Sequence, residues 1–139
     1  MEQFIEFVIN HPILVGLFVV LLALLVITEI RKGGQAVTTG ELTRLVNRDH
    51  ALILDIRDKK DFVNGHIVDA INIPVARLTE CWSELDKHKM RPIVIVDSAG
   101  QHAGIAGKQL MDAGFTDVRR LRGGLSTWQS ENLPLVKTR

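Results

Sequence analysis

Apolar residues run without a break, one glycine excepted, from Ile13 to Ile27, and no later stretch repeats that pattern. Taken from Pro12 to Ile30, the segment makes a helix of about 28 Å, close to the hydrocarbon thickness of a bilayer. Pro12 suits a first helical turn, where its missing N–H costs nothing. The run is too long and too apolar all round for a buried core helix, so a membrane-spanning helix is predicted. The residues ahead of it carry Glu2 and Glu6 but no Lys or Arg, and no Ala-x-Ala pattern follows. The segment therefore reads as a retained anchor and not as a cleaved signal peptide. The apolar positions before Pro12 (Phe4, Ile5, Phe7, Val8, Ile9) give a weak signal for the outer interface.

Beyond residue 32 the periodicity becomes that of a folded domain. Gly33-Gly34-Gln35 reads as a short flexible joint that keeps the domain close under the membrane. The predicted boundaries are 1–32 for the N-terminal segment and anchor, 33–36 for the linker and 37–139 for the domain. Thr38-x-x-Glu41 is a capping box, with Leu42, Leu45 and Val46 on one helical face after it. Ala51 to Ile56 reads as a buried strand with Asp55 at its end, and the polar stretch Asp58 to Asn64 as a helical turn or loop. Ala70 to Ile73 is a short strand stopped by Pro74, and Val75, Leu78, Trp82 and Leu85 recur at helical spacing across Val75 to Lys87.

Ile93 to Val96 are four β-branched residues in a row, the signature of a strand buried on both faces of a parallel sheet. Ser98, Ala99 and Gly100 make a tight loop, and Ile105, Ala106, Gln109, Leu110 and Ala113 predict a helix from about Ala103 to Asp112, with Gly114 at the left-handed cap. Asp117 to Leu121 is a further strand, and Gly123-Gly124 turns the chain into a helix around Leu125 to Gln129 with Trp128 inward. The alternation predicts an α/β fold, a parallel sheet flanked by helices, preceded by one transmembrane helix. A strand, tight loop and helix in succession aim backbone N–H groups at one point beyond the strand's carboxyl end, a natural anion site. Candidate chemistry is therefore centred on Asp97 to His102.

Composition narrows the picture. The 17 Lys and Arg nearly balance the 16 Asp and Glu, so nothing points to nucleic acid. Arg31 and Lys32 directly follow the apolar run, and the positive-inside rule then places the C-terminal domain in the cytoplasm, below a single-pass anchor in the cytoplasmic (inner) membrane. Cys81 is the one cysteine, so no internal disulfide forms, in keeping with a reducing compartment.

Several landmarks in this order resemble the rhodanese-like domain family: Asp55-Ile56-Arg57, Asp61-Phe62, Gly65-His66-Ile67, Ala70 to Pro74, the Val94 to Val96 strand with its loop, Ala113-Gly114-Phe115, Leu121 to Gly124 and Trp128. The resemblance covers roughly Val37 to Leu135. It implies a loop in which active members carry a cysteine that becomes a persulfide, with an arginine five residues on. Here the cysteine position is Asp97 and the arginine position is His102. A carboxylate cannot carry a sulfane sulfur, so the resemblance implies a scaffold without sulfurtransferase chemistry.

The residue-level expectations follow. Asp97 is expected to fill its own anion site through charge-assisted N–H bonds and lock the loop formed with Ser98, Ala99, Gly100, Gln101 and His102. Asp55, Arg57, Asp61 and His66 are read as structural support, with Arg57 and Asp61 as an ion pair. Arg119, Arg120 and Arg122 form a local basic cluster suited to anionic headgroups or an acidic partner. No metal and no cofactor is predicted. The expected partners are the bilayer, through residues 12–30, and a membrane or membrane-associated protein. The competing reading is an enzyme, a sulfurtransferase or other, that uses Cys81, or Asp97 with His102.

Overall fold

The computed structural model describes residues 1–31 and 34–138, without the side chains of Ile30 and Arg31. Lys32 of the basic flank and Gly33 of the predicted joint lie outside the described residues, as does Arg139. The chain divides into two units, Met1–Arg31 and the remainder. The first holds two helices, α1 (Glu2–Asn10) and α2 (Pro12–Arg31). One helix among the described residues is long and apolar enough to cross a membrane: Pro12–Glu29 has a mean hydropathy of 2.6 and none of it is buried.

The second unit is built on five parallel strands, β1 (Gln35–Val37), β2 (Leu52–Asp55), β3 (Ile71–Asn72), β4 (Ile93–Val96) and β5 (Val118–Leu121), in the order β1-β5-β4-β2-β3. The central strands β2 and β4 are buried throughout, which is why their sequences read as continuous apolar runs. Side chains alternate across the sheet. Leu52, Leu54, Ile93 and Ile95 enter one core with Ala106 and Leu110 of α6 (Ala103–Asp112) and with Leu78 and Leu85. Ile53, Val94 and Val96 enter the other with Leu42 and Leu45 of α3 (Thr39–Asp49) and with Leu125 and Trp128 of α7 (Gly124–Ser130).

Two local expectations are corrected. Gln35 and Ala36, read as linker, belong to β1 and pair in register with Arg119 and Arg120 of β5. Val75 to Lys87 is not one helix: a 3-10 segment (Val75–Glu80), a single turn α5 (Trp82–Leu85) and a second 3-10 turn (Asp86–His88) follow one another. The apolar spacing holds, with Leu78 and Leu85 buried, but Cys81 at φ −109° and ψ 16° leaves helical geometry and interrupts the rod. The stretch after β2 is a helix, α4 (Lys59–Asn64). The Thr38–Glu41 capping box is formed in full, with the Thr38 N–H donating to Glu41 Oε2 at 2.8 Å.

Candidate functional site

From β2 the chain leaves toward β3 on one side, and from β4 toward β5 on the other. The crevice at this reversal lies beyond the carboxyl ends of β2 and β4, the usual position of a site in an open parallel sheet. Register places Asp55 opposite Val96, so Asp55 and Asp97 stand at adjacent strand ends.

Asp97 is buried and its carboxylate is turned inward. Oδ1 accepts from the Gly100 N–H at 2.6 Å, and Oδ2 accepts from the N–H groups of His102 at 2.7 Å and Ala103 at 3.1 Å. The loop and the first turn of α6 thus wrap their donors around the side chain that precedes them. The other face of the loop is tied down by the start of α7: Leu125 N–H donates to the Asp97 carbonyl, and Ser126 donates from both N–H and Oγ to the Ser98 carbonyl. That approach needs Gly124, at φ +60°, where a Cβ would stand 2.5 Å from the Asp97 carbonyl oxygen and 2.7 Å from Oδ1. Sequence reasoning took Gly123-Gly124 as a turn and missed its part in closing the loop; two adjacent glycines before a helix were the available signal.

The remaining loop residues stand at the rim of a cleft that Asp97 also lines. Ser98, Ala99, Gln101 and His102 are exposed, and Gly100 bends the loop at φ +88°. This cleft of about 240 Å³ beside the loop is lined by Arg57, Asp58, Asp61, Val75, Ser98 and His102 among others. A second of about 330 Å³ shares Arg57, Asp61 and Ser98 with it and extends to Asn64, Ser126 and Gln129. These walls carry Asp58 and Asp61, while the one guanidinium in them, Arg57, is already committed.

That commitment corrects the expected Arg57–Asp61 pair. Arg57 forms a forked pair with Asp55, Nε to Oδ1 at 3.0 Å and Nη2 to Oδ2 at 2.8 Å, and Nη2 also donates to the Gly65 carbonyl at 2.7 Å. Asp55 also accepts the Arg57 backbone N–H at 3.0 Å, so the two residues form a closed local turn, which leaves the guanidinium aligned with the nearer carboxylate. Asp61 stands exposed on α4. Asn72 braces the same corner, its Nδ2 donating to the carbonyls of Asp55 and Arg57. His66 is buried, stacks on Phe62 at 3.9 Å, donates from Nδ1 to the Phe62 carbonyl and pairs through its backbone with Val136.

Arg119 and Arg120 alternate across β5. Arg119 donates to Asp117 at 2.9 Å, which with the nearby Asp49 and Glu41 holds its guanidinium above its ordinary value. Arg120 donates from Nε to the Gly34 carbonyl, and Arg122 is exposed beyond the strand. Cys81, the only thiol, is buried in the core cluster that also holds Leu78 and Leu85.

The rhodanese-like domain matches residues 38–131. The protein YibN of Escherichia coli K12 is 36% identical across 99% of each chain. The thiosulfate sulfurtransferase GlpE of Shewanella oneidensis is 34% identical over 68% of this chain and 92% of its own length. Among solved structures, a rhodanese-related protein from Thermoplasma volcanium superposes with a TM-score of 0.67 at 23% identity, over 75% of this chain and 99% of its own, and so shares the fold. With its parallel sheet, its loop at the end of β4 and a match that spans most of the second unit, this chain belongs to the rhodanese-like domain family and is a homologue of YibN.

Proposed function

We propose that this chain is a membrane-tethered rhodanese-like module that transfers no sulfur and works by binding a membrane or membrane-associated protein at the cytoplasmic face. The observation that supports this most directly is the carboxylate of Asp97 in contact with three backbone N–H groups of the loop. A loop whose donors already hold an internal anion has lost the groups that would stabilise a persulfide or receive thiosulfate. The cleft beside it adds two carboxylates, which repel anionic substrates. Tethering supports the binding role because confinement under a bilayer raises the local concentration, so weak contacts suffice.

Two measurements on the full chain in detergent or native membranes test this. In a thiosulfate:cyanide sulfurtransferase assay, the protein should turn over no faster than the uncatalysed reaction, and Cys81→Ser should change nothing. Activity that disappears in Cys81→Ser would overturn the reading. A photo-crosslinker placed at Asp61 or Ser126, on the walls of the cleft, should trap a discrete protein partner in native membranes. Crosslinks only from the anchor helix would leave the soluble unit without a binding role.

A further inference from the structure

We propose that α1 is an interfacial helix: it lies in the headgroup region of the leaflet where the anchor begins, with its apolar face toward the acyl chains. The inference rests on the reading of α2 as a membrane anchor and adds a second lipid contact to it.

A helix of nine residues is marginal in water, and α1 has no side-chain N-cap to offset that. None of its nine residues is buried, so the protein itself does not supply the cover that short helices ordinarily need. Phe4, Ile5, Phe7 and Ile9 are each more than half exposed. Such a face requires an apolar surface from outside.

The helix is divided cleanly. At 3.6 residues per turn, Glu2, Gln3, Glu6 and Asn10 fall within an arc of about 100°. Phe4, Ile5, Phe7, Val8 and Ile9 fill the rest. An apolar arc opposite a polar one makes α1 amphipathic, and an amphipathic helix left uncovered by protein can bury its apolar arc in a membrane surface. This pattern is not that of a spanning helix, and α2, which is apolar all round, supplies the contrast.

Continuity with α2 identifies the occupant of this face. α1 ends at Asn10 and α2 begins at Pro12, with only His11 between them. Residues before proline are pushed out of helical geometry, and His11 has φ −127° and ψ 57°. The two helices are therefore separate rods joined at one residue, and the start of the anchor fixes α1 at the bilayer boundary. A single rod through both would carry Glu6 and Gln3 along the anchor's axis without placing α1's apolar arc against lipid.

The charge of α1 sets the lipid chemistry. It has two carboxylates and no Lys or Arg. Association is apolar in origin, and anionic headgroups do not assist it.

The test uses the full-length chain with Cys81→Ala, reconstituted in phosphatidylcholine vesicles and spin-labelled at one introduced cysteine at a time. The positions are Glu2, Gln3, Phe4, Ile5, Glu6, Val8 and Asn10, with Leu21→Cys in α2 as the control. Collision with oxygen, which partitions into lipid, is compared with collision with a water-soluble nickel chelate. The oxygen-to-nickel ratio should be several-fold higher at 4, 5 and 8 than at 2, 3, 6 and 10. The pattern should be unchanged when phosphatidylglycerol replaces part of the phosphatidylcholine. A uniform ratio along α1, lipid-like or water-like, with Leu21→Cys deep in lipid would overturn the interfacial helix and leave the anchor intact. A water-like Leu21→Cys would remove the anchor, and the proposal with it. Periodicity that appears only with phosphatidylglycerol would overturn the apolar origin.

Discussion

At the scale of the residue, Asp97 decides the character of the site. Its two oxygens accept three N–H groups in a buried position, so both must act as acceptors. Asp97→Asn keeps the shape but turns one oxygen into an amide NH2. That group would face a backbone N–H on either side of the fork, and the buried charge-assisted bonds would be lost. Hydrogen bonds to charged groups are worth roughly 1.5–3 kcal/mol, and an orphaned buried donor costs a similar amount, so destabilisation of about 2–4 kcal/mol is expected. Ser98→Ala, at an exposed side chain on the same loop, should stay within about 0.5 kcal/mol. Denaturant unfolding of the full chain in detergent checks both. A loss below about 0.5 kcal/mol for Asp97→Asn would mean that the carboxylate does not lock the loop.

At the scale of the element, periodic and capping signals were legible because they are local. The bounds of α6, the capping box of α3 and the buried runs of β2 and β4 each follow from a few neighbouring residues. What escaped depends on partners distant in sequence. β1 is three residues long and exists through its register with β5, more than eighty residues away. Arg57 was read as paired with Asp61, whereas a turn at the end of β2 sets its guanidinium on Asp55. The short helices after β3 contain another non-obvious contact, His88 Nδ1 accepting from Arg91 Nη1 at 2.9 Å. Burial, with Arg91 and Lys87 adding to it, holds the His88 pKa below the usual 6.5. The unfolded chain therefore binds the proton first as pH falls below 6.5. Stability is complete above that value and declines on acidification until the lower native pKa is passed. A series of unfolding midpoints should show this slope in the native chain and a flatter one in His88→Gln. Equal slopes would mean that His88 is not coupled to folding.

At the scale of the whole molecule, the proposed anchor reading carries an expected orientation, set by the charge on either side of α2. No Lys or Arg precedes Pro12, whereas Arg31 and Lys32 follow the apolar run directly. Positive residues next to a span are retained on the cytoplasmic side, so the soluble unit should face the cytoplasm and α1 the opposite compartment. The chain suits a direct test. Its native Cys81 is buried and should stay silent toward a membrane-impermeant maleimide, while Met90 is 88% exposed. In intact cells, Gln3→Cys should be labelled and Met90→Cys should not. After permeabilisation both should react. The reverse pattern would invert the molecule and set the plugged loop outside the cytoplasm, where no cytoplasmic partner could reach it. Protection of both positions until permeabilisation would mean that α2 does not cross the bilayer, and the tether would then have to be replaced by another source of local concentration. Labelling of Gln3→Cys alone ties the soluble unit to the cytoplasmic face, where the binding role and the reducing environment of the lone thiol are mutually consistent.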